Sequence, residues 1–288
     1  MKLASFHGAS GLRMGLVDGE EIVDLATGDH PLPNDILSLI GAGEDGRQAA
    51  CRAARSAQRF YLPSVRLGPP IPAPRKFLGL GLSFRSHIEE TRAKGGAIPA
   101  HQIWFNKQVT ALNGPYDPVH APRVSQQLDY EGELAIVIGR RARHVQSGDA
   151  ASFIAGYMIC NDFSVRDWMR RSPTAMLGKS FDTHGPVGPW LTTADEVPNP
   201  EQLGIRTWVD GELRQDGNTS ELIYSFGQMI EELTQVFTLE PGDILATGTP
   251  AGVGFGFDPP RFLSAGQTVR VEVEGLGHIE NRIIAEPR

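Results

Sequence analysis

Short hydrophobic runs separated by turns of Gly, Pro, Asn and Asp recur along most of the chain, and this pattern predicts a β-rich fold. In the N-terminal part, the runs with strand character are residues 3–6, 13–17 and 21–24. The later ones are residues 77–80, 134–138, 153–159, 187–191, 205–209, 243–247, 268–273 and 278–284. The Asp18-Gly19 and Asp210-Gly211 pairs are typical of tight turns, so we expect a hairpin at each.

Hydrophobic residues at helical spacing predict helices at residues 34–40, 45–60, 85–94 and 222–237. Asn34 is a candidate N-cap of the first helix. The last helix has one apolar face that suits packing on a sheet, formed by Ile223, Phe226, Ile230, Leu233 and Phe237. The arginines of the second helix are expected to form a solvated face and no nucleic-acid site; they are Arg47, Arg52, Arg55 and Arg59.

A proline-rich segment divides the chain. Residues 68–74 read GPPIPAP, and four prolines in seven residues make a stiff, extended connector. We therefore predict a small α+β N-terminal domain at residues 1–68, a connector at residues 69–76 and a mixed, β-rich C-terminal domain at residues 77–288.

Composition narrows the classes of function. A formal net charge of -7 over 288 residues argues against broad binding to nucleic acid or to an anionic membrane. Cys51 and Cys160 are far apart and form no metal-binding motif, which fits a reducing compartment. The N-terminus lacks the apolar segment of a signal peptide, and no apolar run has the length of a membrane span. We expect a cytoplasmic protein.

An acidic pair precedes the most hydrophobic run of the chain. Glu131 and Glu133 are two residues apart and project to one face of a strand, while residues 134–138 have the pattern of a strand buried on both sides. Carboxylates beside such a core repel each other and lose hydration, a cost that a hard divalent cation such as Mg²⁺ offsets. A solvated strand end with two unpaired glutamates is the alternative.

Two further charged residues follow apolar segments. Asp162 ends one strand as Glu131 begins another, so the three acids are able to supply one set of oxygen ligands; an N-cap role for Asp162 is equally open. Lys179, in a turn, is suited to bind a substrate carboxylate or an enolate oxygen, with an ordinary surface lysine as the alternative.

A histidine and a glutamate share one face of the predicted helix 85–94. His87 and Glu90 are three residues apart, and a carboxylate beside an imidazole raises its basicity, which suits a general base for water. Gly95-Gly96 would let this helix move as a lid. Thr249 lies in a glycine-rich turn that matches no nucleotide-binding motif, and its hydroxyl is able to hold a carboxylate.

The order of these motifs resembles the fumarylacetoacetate hydrolase family. In sequence they are GLSFRSHIEE (81–90), DYEGELAIVIG (129–139), NDFSVRD (161–167), LGKSFD (177–182), GPVGP (185–189) and PGDILATGTPAGVG (241–254). The resemblance covers roughly residues 77–284. It implies a C-terminal domain of the β-sandwich or roll type named after that hydrolase, a smaller N-terminal domain and usually a homodimer.

The resemblance also implies roles for single residues. Glu131, Glu133 and Asp162 match the ligands of Mg²⁺ or Mn²⁺. His87 and Glu90 match the family's water-activating dyad on a lid. Lys179 matches its lysine that contacts substrate or oxyanion, and Thr249 matches its threonine that binds a carboxylate.

Two positions depart from the family pattern close to these motifs. Met169 stands where a polar Gln is frequent, which predicts a less polar pocket. His184 follows Asp182-Thr183 in place of the usual Phe or Thr, and Thr183 and His184 are further candidates for groups near the metal waters.

The family acts on small anionic 2-oxo acids, so three hypotheses follow. The first is a Mg²⁺- or Mn²⁺-dependent hydrolase of aromatic or sugar-acid catabolism, which cleaves a C–C bond in an acylpyruvate- or fumarylpyruvate-like 2,4-dioxo acid with water activated by His87 and Glu90. The second is a decarboxylase or enol–keto isomerase for oxaloacetate or hydroxymuconate-type diacids. The third is a non-catalytic binder of dioxo acids.

Overall fold

The computed structural model describes residues 1–9, 11–93, 95 and 99–287, and more of them belong to strands than to helices. The strands are β1 (Lys2–Gly8), β2 (Gly11–Asp18), β3 (Glu21–Asp24), β4 (Arg59–Tyr61), β5 (Leu67–Gly68), β6 (Phe77–Gly81), β7 (Ile103–Lys107), β8 (Leu112–Asn113), β9 (Val119–Ala121), β10 (Leu128–Asp129), β11 (Gly132–Ile138), β12 (Ile154–Asn161), β13 (Ser164–Val165), β14 (Gly185–Thr193), β15 (Gly204–Val209), β16 (Glu212–Asn218), β17 (Ile244–Ala246), β18 (Thr268–Val273) and β19 (Gly277–Ala285). The α-helices are α1 (Ile36–Gly41), α2 (Gly43–Ala53), α3 (Arg85–Ala93), α4 (Arg166–Met169), α5 (Met176–Lys179) and α6 (Phe226–Val236).

The largest sheet is mixed and spans both halves of the chain. Its strand order is β4-β3-β2-β1-β14-β12-β11-β17-β6-β7, with β5 paired to β1 and β8 paired to β14. The N-terminal strands therefore extend the central sheet through the antiparallel pair β1–β14. A five-stranded sheet of order β16-β15-β18-β19-β9 forms a second layer.

Strand β11 lies in the middle of the packing, and all seven of its residues are buried. Leu134 and Ile136 face a core shared with α6 and the five-stranded sheet. Ala135 and Val137 face the opposite core, which α1 and α2 cover. This confirms the expectation that the unalternating apolar run is buried on both sides, because successive side chains of a strand point to opposite faces.

Strand direction brings the motif-bearing loops to one edge of the sheet. Strands β6 and β17 are parallel, so the segments that follow them, towards α3 and towards Thr249, emerge together. Strand β11 is antiparallel to both β17 and β12, with Gly132 opposite Asn161. The start of β11 and the ends of β6, β12 and β17 therefore meet at the same edge.

The predicted β-rich fold is confirmed, and several elements match closely. Strands β3 and β18 have the predicted bounds, and both Asp-Gly pairs connect antiparallel neighbours. The predicted helix 85–94 is present as α3, although Lys94 and Gly96 lie outside the described residues. Helix α6 is shorter than predicted and begins at Phe226, where Ser225 forms a capping box.

Two helix predictions near the N-terminus were wrong in detail. Asp35, and not Asn34, caps α1, since the Asp35 side chain accepts the Leu37 N–H. Asn34 instead bridges β2 and this helix through backbone groups of Leu12 and Met14. The predicted helix 45–60 ends at Ala53 as α2, because the chain then extends along β3 as the edge strand β4.

Two sequence-based expectations bear on the whole chain. The division into residues 1–68, 69–76 and 77–288 stays a prediction. The largest sheet contains strands from both sides of the predicted connector. Among the described residues, no helix is both long and apolar enough to cross a membrane.

Candidate active site

Three buried carboxylates meet at the sheet edge described above. Ligand atoms of Glu131, Glu133 and Asp162 all lie within 4.8 Å of one another. The backbone enforces this, because the Asp162 N–H donates to the Glu131 carbonyl at 2.9 Å and the Glu131 N–H to the Asn161 side chain at 3.0 Å. Oxygen donors at this separation suit Mg²⁺ or Mn²⁺.

Three cations neutralise two of these acids. Lys179 Nζ lies 2.6 Å from Glu131 Oε2 and 2.5 Å from Asp162 Oδ2. Lys107 Nζ lies 2.6 Å from Asp162 Oδ1, and Arg166 Nη1 lies 2.7 Å from Glu131 Oε1. Glu133 differs, since its carboxylate accepts a backbone hydrogen bond from the Gly248 N–H at 2.8 Å.

Titration behaviour follows from this uneven pairing. Burial opposes ionisation of Glu131, but the charges of Lys179 and Arg166 outweigh it and lower the pKa of Glu131. Burial and then the charges of Asp162 and Glu131 raise the pKa of Glu133 well above its usual value. The protein's own cations therefore do not satisfy the triad, and a further positive charge beside Glu133 would.

Arg166 is itself held by a buried carboxylate. Its Nε donates to Asp129 Oδ2 at 2.8 Å, and Asp129 also accepts the backbone N–H groups of Gly254 and Phe255 at 2.7 and 2.9 Å. Arg166 Nη2 is buried and has no hydrogen-bond partner within the described part of the chain. An unpaired buried donor on a cavity wall is suited to bind an anionic ligand.

His87 and Glu90 form a hydrogen-bonded pair on α3. His87 Nδ1 lies 2.9 Å from Glu90 Oε2, and the other oxygen, Oε1, accepts the Gly252 N–H at 2.9 Å. The glycine-rich segment after β17 thus fixes the carboxylate that orients the imidazole. With Nδ1 engaged, Nε2 is the ring nitrogen that can exchange a proton with a ligand.

Thr249 lies beside the triad, with its hydroxyl engaged by the protein. Thr249 Oγ1 donates to the Gly132 carbonyl at 2.9 Å and accepts from Gln215 Nε2 at 2.7 Å. Gln215 also accepts the Gly132 N–H at 3.0 Å. These bonds lock the start of β11, and the predicted contact of Thr249 with a substrate carboxylate stays a prediction.

A cavity of about 310 Å³ opens onto these groups. His87, Glu131, Glu133, Lys179 and Thr249 line it. Its remaining walls are mainly apolar, and they include Leu80, Leu82, Ile103, Phe105, Met169 and Phe255. Met169 therefore faces the cavity, at the position where the sequence predicted a less polar wall.

Thr183 and His184 do not line this cavity. Thr183 Oγ1 accepts the His120 N–H at 3.0 Å, and His184 Nε2 donates to the His120 carbonyl at 2.8 Å. Burial lowers the pKa of His184 to about 3, so the imidazole is neutral at physiological pH. Both residues fasten the segment before β14 to the chain near β9.

Two of the three cations had no predicted role. Lys107 ends β7, a strand that the sequence pattern did not indicate, and Arg166 appeared within a motif without a function. A lysine after Trp-Phe-Asn carries no sequence signal of burial beside an acid 55 residues away. Its full burial is a product of tertiary structure.

Fold and site together define an enzyme with a carboxylate-rich centre, a histidine–glutamate pair and a small cavity open to solvent. Residues 76–284 match the description "Fumarylacetoacetate (FAA) hydrolase C-terminal". The chain belongs to the fumarylacetoacetate hydrolase family.

Similar proteins have several named activities. The chain is 36% identical to a mitochondrial oxaloacetate tautomerase of Xenopus laevis, covering 99% of this chain and 90% of the relative. It is 36% identical to oxaloacetate tautomerase YisK of Bacillus subtilis, and the alignment covers 98% of this chain and 100% of the relative. A crystal structure of maleylpyruvate hydrolase from Sphingobium sp. SYK-6 in complex with manganese (II) ion and pyruvate superposes with a TM-score of 0.82 at 34% identity, covering all of both chains.

Proposed function

We propose that this chain is a Mg²⁺- or Mn²⁺-dependent enzyme that interconverts the keto and enol forms of a 2-oxo diacid of the oxaloacetate type. The observation that carries the proposal is the cavity that His87, Glu131 and Glu133 line together, with Asp162 completing the triad and Glu90 hydrogen-bonded to His87. A carboxylate set and a general base are the groups that proton transfer beside a carbonyl requires.

The residues fit a divalent ion. Glu131, Glu133 and Asp162 offer hard oxygen donors, and within the described residues Glu133 accepts a backbone N–H and forms no salt bridge. An ion bound there supplies a Lewis acid that polarises the 2-oxo group and stabilises negative charge on its oxygen. Burial and the neighbouring acids raise the pKa of Glu133, and a bound cation would lower it again by favouring the ionised form.

The chain's own groups then divide the work. His87, oriented by Glu90, takes a proton from the carbon next to the carbonyl and delivers it to the carbonyl oxygen, which gives the enol; the reverse transfer regenerates the keto form. Lys179 places a buried positive charge beside the reacting oxygen. Arg166 offers its unpaired Nη2 to the substrate carboxylate.

Tautomerisation is favoured over the other family reactions by the curated relatives. The two oxaloacetate tautomerases described above align over nearly the whole chain. Tautomerisation also needs only the base and the charge-stabilising groups, with no attacking water. It belongs to the isomerase hypothesis that the sequence placed second.

Hydrolysis of a C–C bond, the first hypothesis from the sequence, is the second candidate. The observation in its favour is the similarity to a maleylpyruvate hydrolase across both chains. In that reaction the same His87–Glu90 pair would deprotonate a water that attacks the distal carbonyl. Both reactions require the triad, so the product distinguishes them.

The deciding experiment follows the product in Mn²⁺-loaded enzyme. Enol oxaloacetate is monitored by ultraviolet absorbance, and maleylpyruvate and fumarylpyruvate are analysed by NMR for pyruvate release. We expect the wild type to accelerate the decay of the enol without cleaving a C–C bond. In His87→Ala the rate of this decay should be lower by about 100-fold or more. Pyruvate release with no effect on the enol would replace tautomerisation by hydrolysis.

A further inference from the structure

The charges on the cavity wall are unevenly paired. Arg166 and Lys179 are both buried and both engaged by carboxylates of the triad. Arg170 also lines the cavity, but it is exposed to solvent. Its Nη2 donates to the side-chain oxygen of Gln127 at 2.9 Å, which is a neutral partner.

Arg170 is held in place without being neutralised. It is the C-cap of α4, the short helix that begins with Arg166, so a single helical turn carries both arginines. Within the described residues, its guanidinium donates to Gln127 and forms no salt bridge with a carboxylate. A positioned guanidinium of this kind is preorganised for a carboxylate, which it is able to bind with two parallel hydrogen bonds.

The rest of the cavity wall is mainly apolar. The side chains there include Leu82, Ile103, Phe105, Met169 and Phe255. A ligand that matches this distribution has an anionic 2-oxo acid head at the triad, an uncharged middle and a second anion at the solvent end. A monocarboxylic acid of the same length would leave the second cation unmatched.

We propose that Arg170 binds the distal carboxylate of the substrate and thereby makes the enzyme selective for 2-oxo dicarboxylic acids over 2-oxo monocarboxylic acids. This assignment rests on the proposed function, because it assumes that the 2-oxo acid end lies at the triad. It makes Arg170 a specificity-determining residue that acts on substrate affinity and takes no part in proton transfer.

The neighbouring arginine provides a matched control. Arg171 lies next in sequence, and its guanidinium stacks on Trp168 at 3.6 Å from the ring centre. It does not line the cavity. Arg170→Gln and Arg171→Gln therefore remove the same charge from adjacent positions, and only the first removes it from the proposed substrate contact.

The test uses ligand pairs of equal length in which a methyl group replaces the distal carboxylate. These are oxaloacetate with 2-oxobutanoate, and 2-oxoadipate with 2-oxohexanoate. Exchange of the C3 protons for deuterium gives kcat/KM by NMR, and protection of the Mn²⁺-loaded protein against thermal unfolding gives affinity without turnover. The expected preference of the wild type for a diacid is about 10- to 100-fold, the effect of one charge-assisted contact.

Arg170→Gln should abolish this preference by raising KM and weakening affinity for the diacids, while Arg171→Gln keeps it. A diacid preference that survives Arg170→Gln, or that Arg171→Gln removes equally, overturns the assignment. If the wild type binds the diacids with the expected preference but exchanges no C3 proton, the proposed function fails and the assignment of Arg170 stands. If the wild type shows no preference for either diacid, the assignment fails even when exchange occurs.

Discussion

Glu133 is the residue whose surroundings say most about the site. Glu131 and Asp162 each contact buried cations, whereas Glu133 lies within reach of both acids and receives a backbone N–H. Its raised pKa is the electrostatic sign of that imbalance. The cost of three clustered carboxylates is therefore concentrated on one residue, and a divalent cation would relieve it.

Lys107 is predicted to support the site from behind. Its ammonium group is fully buried and contacts Asp162 Oδ1 at 2.6 Å and the Lys179 carbonyl at 2.5 Å. Lys107→Met should lower the free energy of unfolding by about 3–5 kcal/mol, because it leaves a buried carboxylate short of a partner. Urea denaturation checks this, and Mn²⁺ should restore part of the loss. An effect below 1 kcal/mol, on the order of a surface pair, would contradict this role.

At the scale of elements, the parallel pair β6–β17 explains why the site assembles. It brings α3 with His87 and Glu90 next to the glycine-rich segment that begins at Thr247. That segment holds Glu90 through the Gly252 N–H and is itself held by Asp129 through Gly254 and Phe255. One loop therefore couples the histidine–glutamate pair to the arginine beside the triad.

Gly256 offers a way to disturb this coupling without touching a polar residue. A Cβ at Gly256 would lie 2.0 Å from Glu90 Oε1, whereas Gly148 has open space around it. The Glu90 carboxylate ends a flexible side chain, so Gly256→Ala should displace it and leave the fold intact. We expect kcat to fall about 10-fold or more, as when a general base loses its orienting partner.

Mn²⁺ affinity and thermal stability of Gly256→Ala should stay close to those of the wild type, and Gly148→Ala should keep full activity. Steady-state kinetics and Mn²⁺ titration measure both properties. If Gly256→Ala has wild-type kcat, the position of Glu90 does not control the base.

Much of this arrangement could be predicted from the sequence, whereas features that depend on contacts between distant segments could not. The acids, the histidine–glutamate pair and Lys179 lie in motifs with recognisable order. The sequence therefore predicted the acids at strand ends, the pair on one helix face and Lys179 in a turn, where the structure has the short helix α5. Lys107 could not be found, because its burial depends on β7 packing beside a distant acid. The strand β4 was predicted as helix, since only its pairing with β3 makes it extended.

At the scale of the whole molecule, the N-terminal part is continuous with the catalytic sheet. Strand β1 pairs with β14, and α1 and α2 cover the face of β11 that includes Ala135 and Val137. The small N-terminal unit therefore shields β11, the strand that follows Glu131 and includes Glu133. The homodimer, the domain limits and the cytoplasmic location inferred from the sequence stay predictions.

Removal of residues 1–76 tests this shielding. The shortened chain would expose the apolar face beneath α1 and α2 and an unpaired edge of β14. We expect it to bind a hydrophobic dye strongly and to lose cooperative unfolding, with no Mn²⁺-dependent stabilisation. A cooperative transition with wild-type Mn²⁺ affinity would show that the C-terminal part is independent.

The central claim is that the three carboxylates bind a divalent ion, and the most direct measurement compares Mn²⁺-dependent thermal stabilisation of the wild type and Glu133→Gln. Metal-free Glu133→Gln should be at least as stable as the wild type, because the substitution removes a repelled charge from the cluster. Saturating Mn²⁺ should raise the wild-type Tm by several degrees and leave the variant unchanged, with calorimetry giving about one ion per chain. Equal stabilisation of both proteins by Mn²⁺ would contradict the account.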